Sequence, residues 1–471
     1  MTSAQVAVVG AGPGGYAAAF LAADLGQHVA LIDPEANPGG VCVYRGCIPS
    51  KTLLHVARLL AEAKRARDWG VEFGEPRVDL DKLRSFKDQV VARLTGGTGQ
   101  LVKHRKIQYV RGFAEILDAH RLRVKGNGSD EEIRVEHLVL ATGSVPVRPA
   151  ALQLDDPRVM DSTTALELKD VPKSLLVVGG GYIGLELGSV YAALGSEVTI
   201  VEMTKGLLPG VDRDLVNVLA RTVGGVTKAI LLNTRVVSLR AEAGGIRIAL
   251  EGADVPGHAR EQTFDRALVA VGRRPNSHIP GLERTRVKLD ERGFIIVDEQ
   301  MRTAEPSIFA IGDVVGEPML AHKASHQGRV AVEVIAGENA AFAPRAIPAV
   351  VFTDPELAWC GLTETEAQRA GRNVNVAKFP WAASGRALTL DRTDGLTKLI
   401  LDPETERILG VGVVGPGAGE LIAEGVLAIE MGANATDVKL SIHPHPTLTE
   451  TIMESAEVFF GQATHVYRPR R

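Results

Sequence analysis

Two cysteines stand five positions apart in the stretch Gly39-Gly40-Val41-Cys42-Val43-Tyr44-Arg45-Gly46-Cys47-Ile48-Pro49-Ser50-Lys51. Three kinds of chemistry use so close a pair of thiols. A structural disulfide over this loop would stabilise the fold by only about 2 kcal/mol in the chain-entropy model. A zinc site asks for about four ligands, and Cys360, His443 and His445 lack the paired spacing that would complete one. The third possibility is a dithiol that cycles with its disulfide. Residues 50–68 read as a helix, with Leu53, Leu54, Val56, Ala57, Leu60 and Ala61 near helical spacing and Pro49 as its first residue. Cys47 then lies just ahead of a helix N-terminus with Lys51 in the first turn. Dipole and cation both favour a thiolate there, so the placement favours the redox pair. Cys360 has no partner nearby and reads as a small buried hydrophobe.

The stretch around the cysteines follows a glycine-rich loop that occurs twice. Gln5–Val9 reads as a strand running into Gly10-Ala11-Gly12-Pro13-Gly14-Gly15; an alanine-rich helix to Gly26 follows, then a strand His28–Ile32 ending in Asp33. Leu175–Val178 runs into Gly179-Gly180-Gly181-Tyr182-Ile183-Gly184, a helix to Gly195, and a strand Glu197–Val201 ending in Glu202. The two copies are 169 positions apart, and each acid lies 18 positions after its third glycine. One such loop is weak evidence; two in register, each between strand and helix, form the dinucleotide-binding βαβ fingerprint. The first glycine turns the chain, the second lets backbone approach a pyrophosphate, the third lets helix pack on strand, and the acid accepts from ribose hydroxyls. Two nucleotide sites in one chain imply two cofactors that exchange electrons. Glu202 would repel a 2′-phosphate and no arginine follows it closely, Lys205 being the nearest cation, so the second site is expected to take NAD.

His445-Pro446-Thr447-Leu448-Thr449-Glu450 opens a last helix, read as Leu448–Phe460. Thr447 and Glu450 have capping-box spacing, which leaves His445 either a loop residue or the imidazole of an acid–base pair. His443, also followed by proline, is a second candidate.

Composition limits what these residues can belong to. With 53 Lys+Arg against 57 Asp+Glu, the net charge of −4 gives no basic footprint for nucleic acid. Three cysteines in 471 residues exclude a disulfide-stapled secreted scaffold. The N-terminus lacks a basic segment before its apolar run and is expected to be a strand rather than a signal peptide. The apolar stretch from Leu175 to Gly195 carries Glu186 and several glycines, so no membrane helix is expected, and the chain reads as cytoplasmic. The length predicts about three domains. Leu138–Leu140 before Ala141-Thr142-Gly143, Leu268–Val271 before Gly272, and Ile308–Ile311 before Gly312-Asp313 read as further strands ending in turns. From about Ile347 the pattern changes to mixed strands (Ala346–Phe352, Lys398–Leu401, Gly410–Gly415) and helices (Gly419–Met431), a separate α+β unit.

GGVCVYRGCIPSK beside GAGPGG, then GGGYIGLELG, AIGDV, MLAHKASHQG and HPHPTLTE, resembles the dihydrolipoamide dehydrogenases, a family of flavoprotein disulfide oxidoreductases, from the first strand to about Gly461. The resemblance implies two Rossmann-like dinucleotide-binding domains, for FAD and NAD, plus a C-terminal α+β dimerisation domain. The boundaries expected are 1–147 for the FAD domain, 148–277 for the NAD domain, 278–346 completing the FAD domain and 347–471 for the interface domain. It implies FAD contacts at Gly10, Gly12, Gly15, Asp33, Lys51, Gly112, Thr142, Gly143, Asp313 and Ala321. It implies NAD contacts at Gly179, Gly181, Gly184, Glu186, Glu202, Val236 and Gly272, with Lys51 and Glu186 as a charged pair near the flavin. Catalysis would fall to Cys42, the interchange thiol, to Cys47, nearer the flavin, and to His445 as base oriented by Glu450. The match to H-P-T-x-x-E selects His445 over His443. The implied reaction oxidises dihydrolipoamide on the lipoyl domain of a 2-oxo-acid dehydrogenase complex and reduces NAD⁺. The family's base usually comes from the partner subunit, so a homodimer is implied. No metal is expected. Glu186 could alternatively be a favourable acid in a helix's first turn.

The chain departs from the family at Val43-Tyr44-Arg45, where many members carry Leu-Asn-Val, a bulkier charged loop expected to affect redox poise or substrate approach. Asp33 replaces the commoner glutamate. The tail Tyr467-Arg468-Pro469-Arg470-Arg471 has no cysteine, unlike mercuric reductases and large thioredoxin reductases, and no lipoyl-carrier domain is expected before Met1. The rivals are a glutathione-type reductase running in the opposite direction, disfavoured by Glu202 and Ile48-Pro49-Ser50-Lys51, and a docking component that no longer turns over.

Overall fold

The computed structural model describes residues 2–126, 130–252, 255 and 260–467, so the reading of the tail at 468–471 falls outside the described residues. Chain order builds a first α/β unit from β1 (Thr2–Val9), α1 (Pro13–Asp24), β2 (Val29–Asp33), α2 (Gly40–Arg45), α3 (Cys47–Arg65), α4 (Leu80–His104), β3 (Gln108–Arg111), β4 (Phe113–Asp118), β5 (Arg121–Lys125) and β6 (Asp130–Leu140). β3, β2, β1 and β6 lie side by side and parallel. The N-terminal half of β6 pairs antiparallel with β5, and a late strand, Ile308–Ala310, adds parallel to its C-terminal half. Val6–Val9 and Val29–Asp33 are buried throughout, the signature of strands covered on both faces.

A second parallel unit follows. β7 (Ser144–Pro146) leads to β8 (Val159–Met160), α5 (Ser162–Ala165), β9 (Ser174–Val178), α6 (Tyr182–Ala193), β10 (Glu197–Val201), α7 (Arg213–Val226) and β11 (Ala229–Leu231). β12 (Thr234–Glu242), β13 (Gly245–Gly252) and β14 (Glu261–Phe264) form an antiparallel sheet of their own before β15 (Arg266–Val269) returns to the parallel sheet, in the order β11-β10-β9-β15-β8. β16 (Arg273–Pro275) pairs antiparallel with β7, so the two chain crossings between the parallel units are tied to each other. β17, the late strand Ile308–Ala310, and α8 (Ala321–Ile335) then return to the first unit.

The last unit is antiparallel. β18 (Ala349–Val351), β19 (Glu356–Gly361), α9 (Glu364–Arg369), β20 (Asn375–Pro380), α10 (Gly385–Thr389), β21 (Leu396–Leu401) and β22 (Ile408–Gly415) give the sheet order β18-β19-β22-β21-β20. It is covered by α11 (Ala418–Met431), α12 (Ala435–Leu440) and α13 (Glu450–Phe460). Trp381, Phe379 and Leu399 fill its core, and Cys360 joins them at 1% exposure, its thiol pushed up to about 12 by burial.

Two local expectations are corrected. α3 begins at Cys47 itself, because the Ser50 N–H already donates to Gly46 O; Pro49 is tolerated in the first turn, where its missing N–H would have no partner anyway. The residues between the cysteines form the separate helix α2 rather than a loop. Among the described residues no helix is long and apolar enough to cross a membrane.

Candidate active site

The two glycine loops are built alike. After β1, Gly10 turns with φ +100°, and a Cβ on Gly15 would stand 1.8 Å from Gly10 O. After β9, Gly179 turns with φ +109°, and a Cβ on Gly184 would stand 2.1 Å from Gly179 O. The first and third glycines of each loop are therefore required by the loop's own packing. Gly12 and Gly181, the extended residues capping α1 and α6, are not: a Cβ on Gly181 would meet nothing within 4 Å. Open space in front of a helix N-terminus is what an approaching pyrophosphate needs.

Each acid locks its loop. Asp33 Oδ2 accepts from Ala11 N–H at 2.7 Å and Oδ1 from Glu35 N–H at 3.0 Å. Glu202 Oε2 accepts from Gly180 N–H at 2.7 Å and Oε1 from Thr204 N–H at 2.8 Å. A carboxylate has about four acceptor sites, so each acid keeps capacity for ribose hydroxyls. Burial pushes the Asp33 carboxyl up, against the Ala11 N–H and the Arg45 charge.

Cys47 is the first residue of α3, and both thiols are free and partly buried. The Cys42 thiol shares its proton with Cys47. That hydrogen bond, then the Lys51 charge, bring Cys47 down to about 7 against the opposing effect of burial; the same hydrogen bond and burial push Cys42 well up. Lys51 Nζ lies 2.8 Å from Glu186 Oε2 and 4.5 Å from the centre of the Phe352 ring, and Phe352 N–H donates to Glu186 Oε1 at 3.0 Å. Glu186 is not a first-turn acid: it lies in the fifth position of α6, buried to 3% exposure. Residues from all three units thus meet behind the cysteines.

A cavity of about 440 Å³ runs past this point. It brings together Cys42, Cys47, Glu186 and all ten residues expected to hold FAD: Gly10, Gly12, Gly15, Asp33, Lys51, Gly112, Thr142, Gly143, Asp313 and Ala321. Thr142 Oγ1 donates to Asn276 O at 2.7 Å, and Ser144 Oγ donates to Asp313 Oδ2 at 2.5 Å while accepting from Arg273 Nε at 2.8 Å. Glycine loop, helix N-terminus, buried acid and elongated cavity together fit a dinucleotide whose reactive ring ends at the cysteines. The residues expected to hold NAD, apart from Glu186, lie outside this cavity. Gly179, Gly181, Gly184 and Glu202 form the second loop. Gly272, with φ +119°, lies two residues beyond Ala270, whose carbonyl abuts Gly179. Val236 is buried on β12 in the second unit's core.

His445 and Glu450 are brought together but are not brought to the cysteines of their own chain. His445 Nδ1 lies 2.9 Å from Glu450 Oε1, and Glu450 Oε2 accepts from Thr447 N–H at 2.8 Å. Partial burial acts to raise the Glu450 carboxyl, but Thr447 N–H and His445 hold it below the usual carboxylate range. With Nδ1 occupied, the exposed ring presents Nε2 to the outside. His443 differs: Nε2 is 2.7 Å from Glu424 Oε1 and Nδ1 2.8 Å from Ser441 O, so both nitrogens are engaged.

Residues 4–328 match the pyridine nucleotide-disulphide oxidoreductase family, and residues 347–456 match its dimerisation domain. The chain belongs to that family. As a pyridine nucleotide-disulphide oxidoreductase it is an enzyme with FAD and NAD as cofactors. It is 48% identical to the dihydrolipoyl dehydrogenase of Vibrio parahaemolyticus over 461 residues, 98% of this chain and 96% of that one. It is 46% identical to that of Thermus scotoductus over 467 residues, 99% of both chains. Among solved structures, LpdA from Mycobacterium tuberculosis superposes with a TM-score of 0.89 at 27% identity, covering 97% of this chain and 99% of that one. The HOCl-induced flavoprotein disulfide reductase RclA from Escherichia coli, in its Cu(II) complex, does so with 0.87 at 29% identity, again over 97% and 99%.

Within this oxidoreductase, reading the sequence missed several cavity residues. Tyr182 lies inside the second glycine motif yet lines the first cavity, its hydroxyl pushed up to about 12 by burial. Ser144, Arg273 and Asn276 reach the cavity through the β7–β16 tie, a pairing of segments more than 120 positions apart with no local signal. Arg45, part of the departure expected to affect redox poise or substrate approach, lines this cavity. Among the described residues neither cysteine joins a metal-ligand cluster; Asp212, Asp214 and Glu364 cluster, but around the Lys398 ammonium.

Proposed function

We propose that this oxidoreductase is a dihydrolipoyl dehydrogenase. It oxidises dihydrolipoamide carried by lipoyl domains of a 2-oxo-acid dehydrogenase complex in the cytoplasm, through a Cys42–Cys47 disulfide, FAD and NAD⁺. The domains read as 1–147 with 278–346 for FAD, 148–277 for NAD and 347–471 for the interface. The observation that carries the reading is the asymmetry of the thiols in one cavity with the first nucleotide loop. A disulfide breaks toward the sulfur that leaves as the more stable thiolate, and Cys47, lowered to about 7, is that sulfur.

The residue chemistry follows. His445, its Nδ1 fixed on Glu450, takes the proton of a substrate thiol at Nε2. The substrate thiolate attacks Cys42 Sγ, the Cys42–Cys47 bond breaks, and Cys47 leaves as thiolate, held by the α3 N-terminus and Lys51. The second substrate thiol gives up its proton and closes the substrate disulfide, and Cys42 leaves protonated. Held by the first glycine loop, Asp33 and Lys51, FAD would supply the acceptor for the electron pair of the reduced cysteines, and NAD⁺ at the second loop would supply the final acceptor. Since His445 does not line the cavity of its own chain, the arrangement supports a homodimer in which each subunit supplies the other's base. The exposed apolar residues Leu427, Met431, Leu440 and Ile442 on the same domain support it as well.

The test is turnover by the purified, yellow protein. NADH formation from dihydrolipoamide and NAD⁺ is expected, with sedimentation at about twice the chain mass of 50.1 kDa. Faster consumption of NADPH with glutathione disulfide, or a colourless protein, would overturn the assignment.

A further inference from the structure

Arg45 occupies a position from which it reaches the nucleotide end of the first cavity. It is the last residue of α2, whose first residue, Gly40, abuts the glycine loop: a Cβ on Gly40 would stand 2.4 Å from Gly12 Cα. At the other end its guanidinium pairs through Nη2 with Glu35, two residues past the ribose acid Asp33. The side chain therefore lies between the loop expected to cradle the pyrophosphate and the acid expected to hold the ribose, and it lines the cavity.

Charge makes that location informative. The cavity is lined by four acids, Asp33, Glu35, Glu186 and Asp313, against three cations, Arg45, Lys51 and Arg273. A dinucleotide brings a diphosphate into this excess of negative charge. Lys51 is held by Glu186 at 2.8 Å. Arg273 is held on Ser144 through Nε at 2.8 Å and Nη2 at 2.7 Å. Arg45 is the cation at the nucleotide end, and its side chain, paired through Nη2 with Glu35, stays 40% exposed. A guanidinium carries five N–H donors, and a phosphate oxygen is among the strongest partners for those that face the cavity.

We infer that Arg45 is a cofactor-binding residue of this chain, its guanidinium donating to the diphosphate of FAD from the side open to the cavity while Nη2 stays on Glu35. The inference rests on the proposal that FAD occupies this cavity. It also changes the meaning of Val43-Tyr44-Arg45. Tyr44 Oη donates to Asn37 O at 3.0 Å and accepts from Asn37 N–H at 3.2 Å, so both side chains bind the redox helix to the segment after β2. The departure acts on cofactor retention rather than on the approach of substrate.

The experiment measures the FAD dissociation constant of the holoenzyme by recovery of free-flavin fluorescence on dilution, for the parent, Arg45→Val, Arg45→Lys and Glu35→Gln. Arg45→Val is expected to weaken FAD binding about ten- to hundredfold, the loss of one charge-assisted hydrogen bond, with partial recovery in Arg45→Lys. Glu35→Gln, which removes a competing carboxylate and leaves the guanidinium, is expected to hold FAD as tightly as the parent or more so. Unchanged FAD affinity in Arg45→Val would overturn the inference. So would equal losses in Arg45→Val and Glu35→Gln, because the guanidinium would then only anchor the segment after β2. A parent chain that neither carries nor takes up flavin would overturn the reading of the cavity itself.

Discussion

The reactivity of Cys47 can be tested by removing the cation behind it. Cys47 lies near pH 7 instead of the usual 9, first because of the Cys42 hydrogen bond and then because of Lys51, with burial and Glu186 acting the other way. About half of Cys47 is then thiolate at neutral pH in the reduced enzyme. Lys51→Met removes one of the three lowering influences, the others being the Cys42 hydrogen bond and a backbone N–H, so the midpoint must rise. A rise of one pH unit, about 1.4 kcal/mol, leaves roughly a tenth as thiolate at pH 7 and slows alkylation about fivefold. The difference vanishes above about pH 9, where both proteins are ionised. Glu186→Gln has the opposite sign and should move the midpoint below that of the parent. The assay is a pulse of iodoacetamide on anaerobically reduced enzyme from pH 5 to 10. Trypsin cuts after Arg45 and separates the two cysteines, so mass spectrometry reads Cys47 alone. An unmoved midpoint in Lys51→Met, or both variants moving the same way, would refute the electrostatic account.

Three further expectations follow from the same geometry. His445→Gln should slow flavin reduction by dihydrolipoamide about 10²- to 10⁴-fold and leave reduction by NADH near the parent rate; stopped-flow absorbance of the two half-reactions checks this, and equal losses would make the residue structural. Lys398 has a 1% exposed side chain and lies 2.8 Å from Asp212, 3.0 Å from Asp214 and 2.6 Å from Glu364. Lys398→Met should therefore destabilise the joint between the second and last units by about 3–5 kcal/mol. Against burial, Asp212 is held low by Lys398 and Asp214 by Lys378 and then Lys398, so the stabilisation from Lys398 is present above about pH 4 and lost below it; scanning calorimetry should show the variant's deficit shrinking as pH falls. Glu202→Ala removes the acceptor of Gly180 N–H and Thr204 N–H as well as the acceptor expected for the ribose hydroxyls, so the KM for NAD⁺ should rise about tenfold or more without NADP⁺ activity appearing in steady-state kinetics.

The sequence by itself determined whatever depends on near neighbours. Gly10, Gly15, Gly179 and Gly184 were legible because turn geometry and helix–strand contact act within a few residues. Asp33 and Glu202 were legible because the second strand of a βαβ unit must end beside its own glycine loop. Cys47 was legible as a helix-end thiol, although the helix begins two residues earlier than its proline advertises. Only the tertiary structure decided which charges face each other. Glu186, implied by the resemblance to pair with Lys51 and otherwise readable as a first-turn acid, is the buried partner of Lys51 because sheet order sets α6 against α3, 135 positions away in the chain. His445 and His443 share the same local pattern, yet one keeps a free nitrogen and the other loses both to Glu424 and Ser441. Arg45, read in the sequence as part of a bulkier loop affecting redox poise or substrate approach, lines the nucleotide cavity because α2 folds against the glycine loop. Turns and helix ends are encoded over a handful of residues, whereas ion pairs and cavities belong to surfaces that exist only once distant elements have packed.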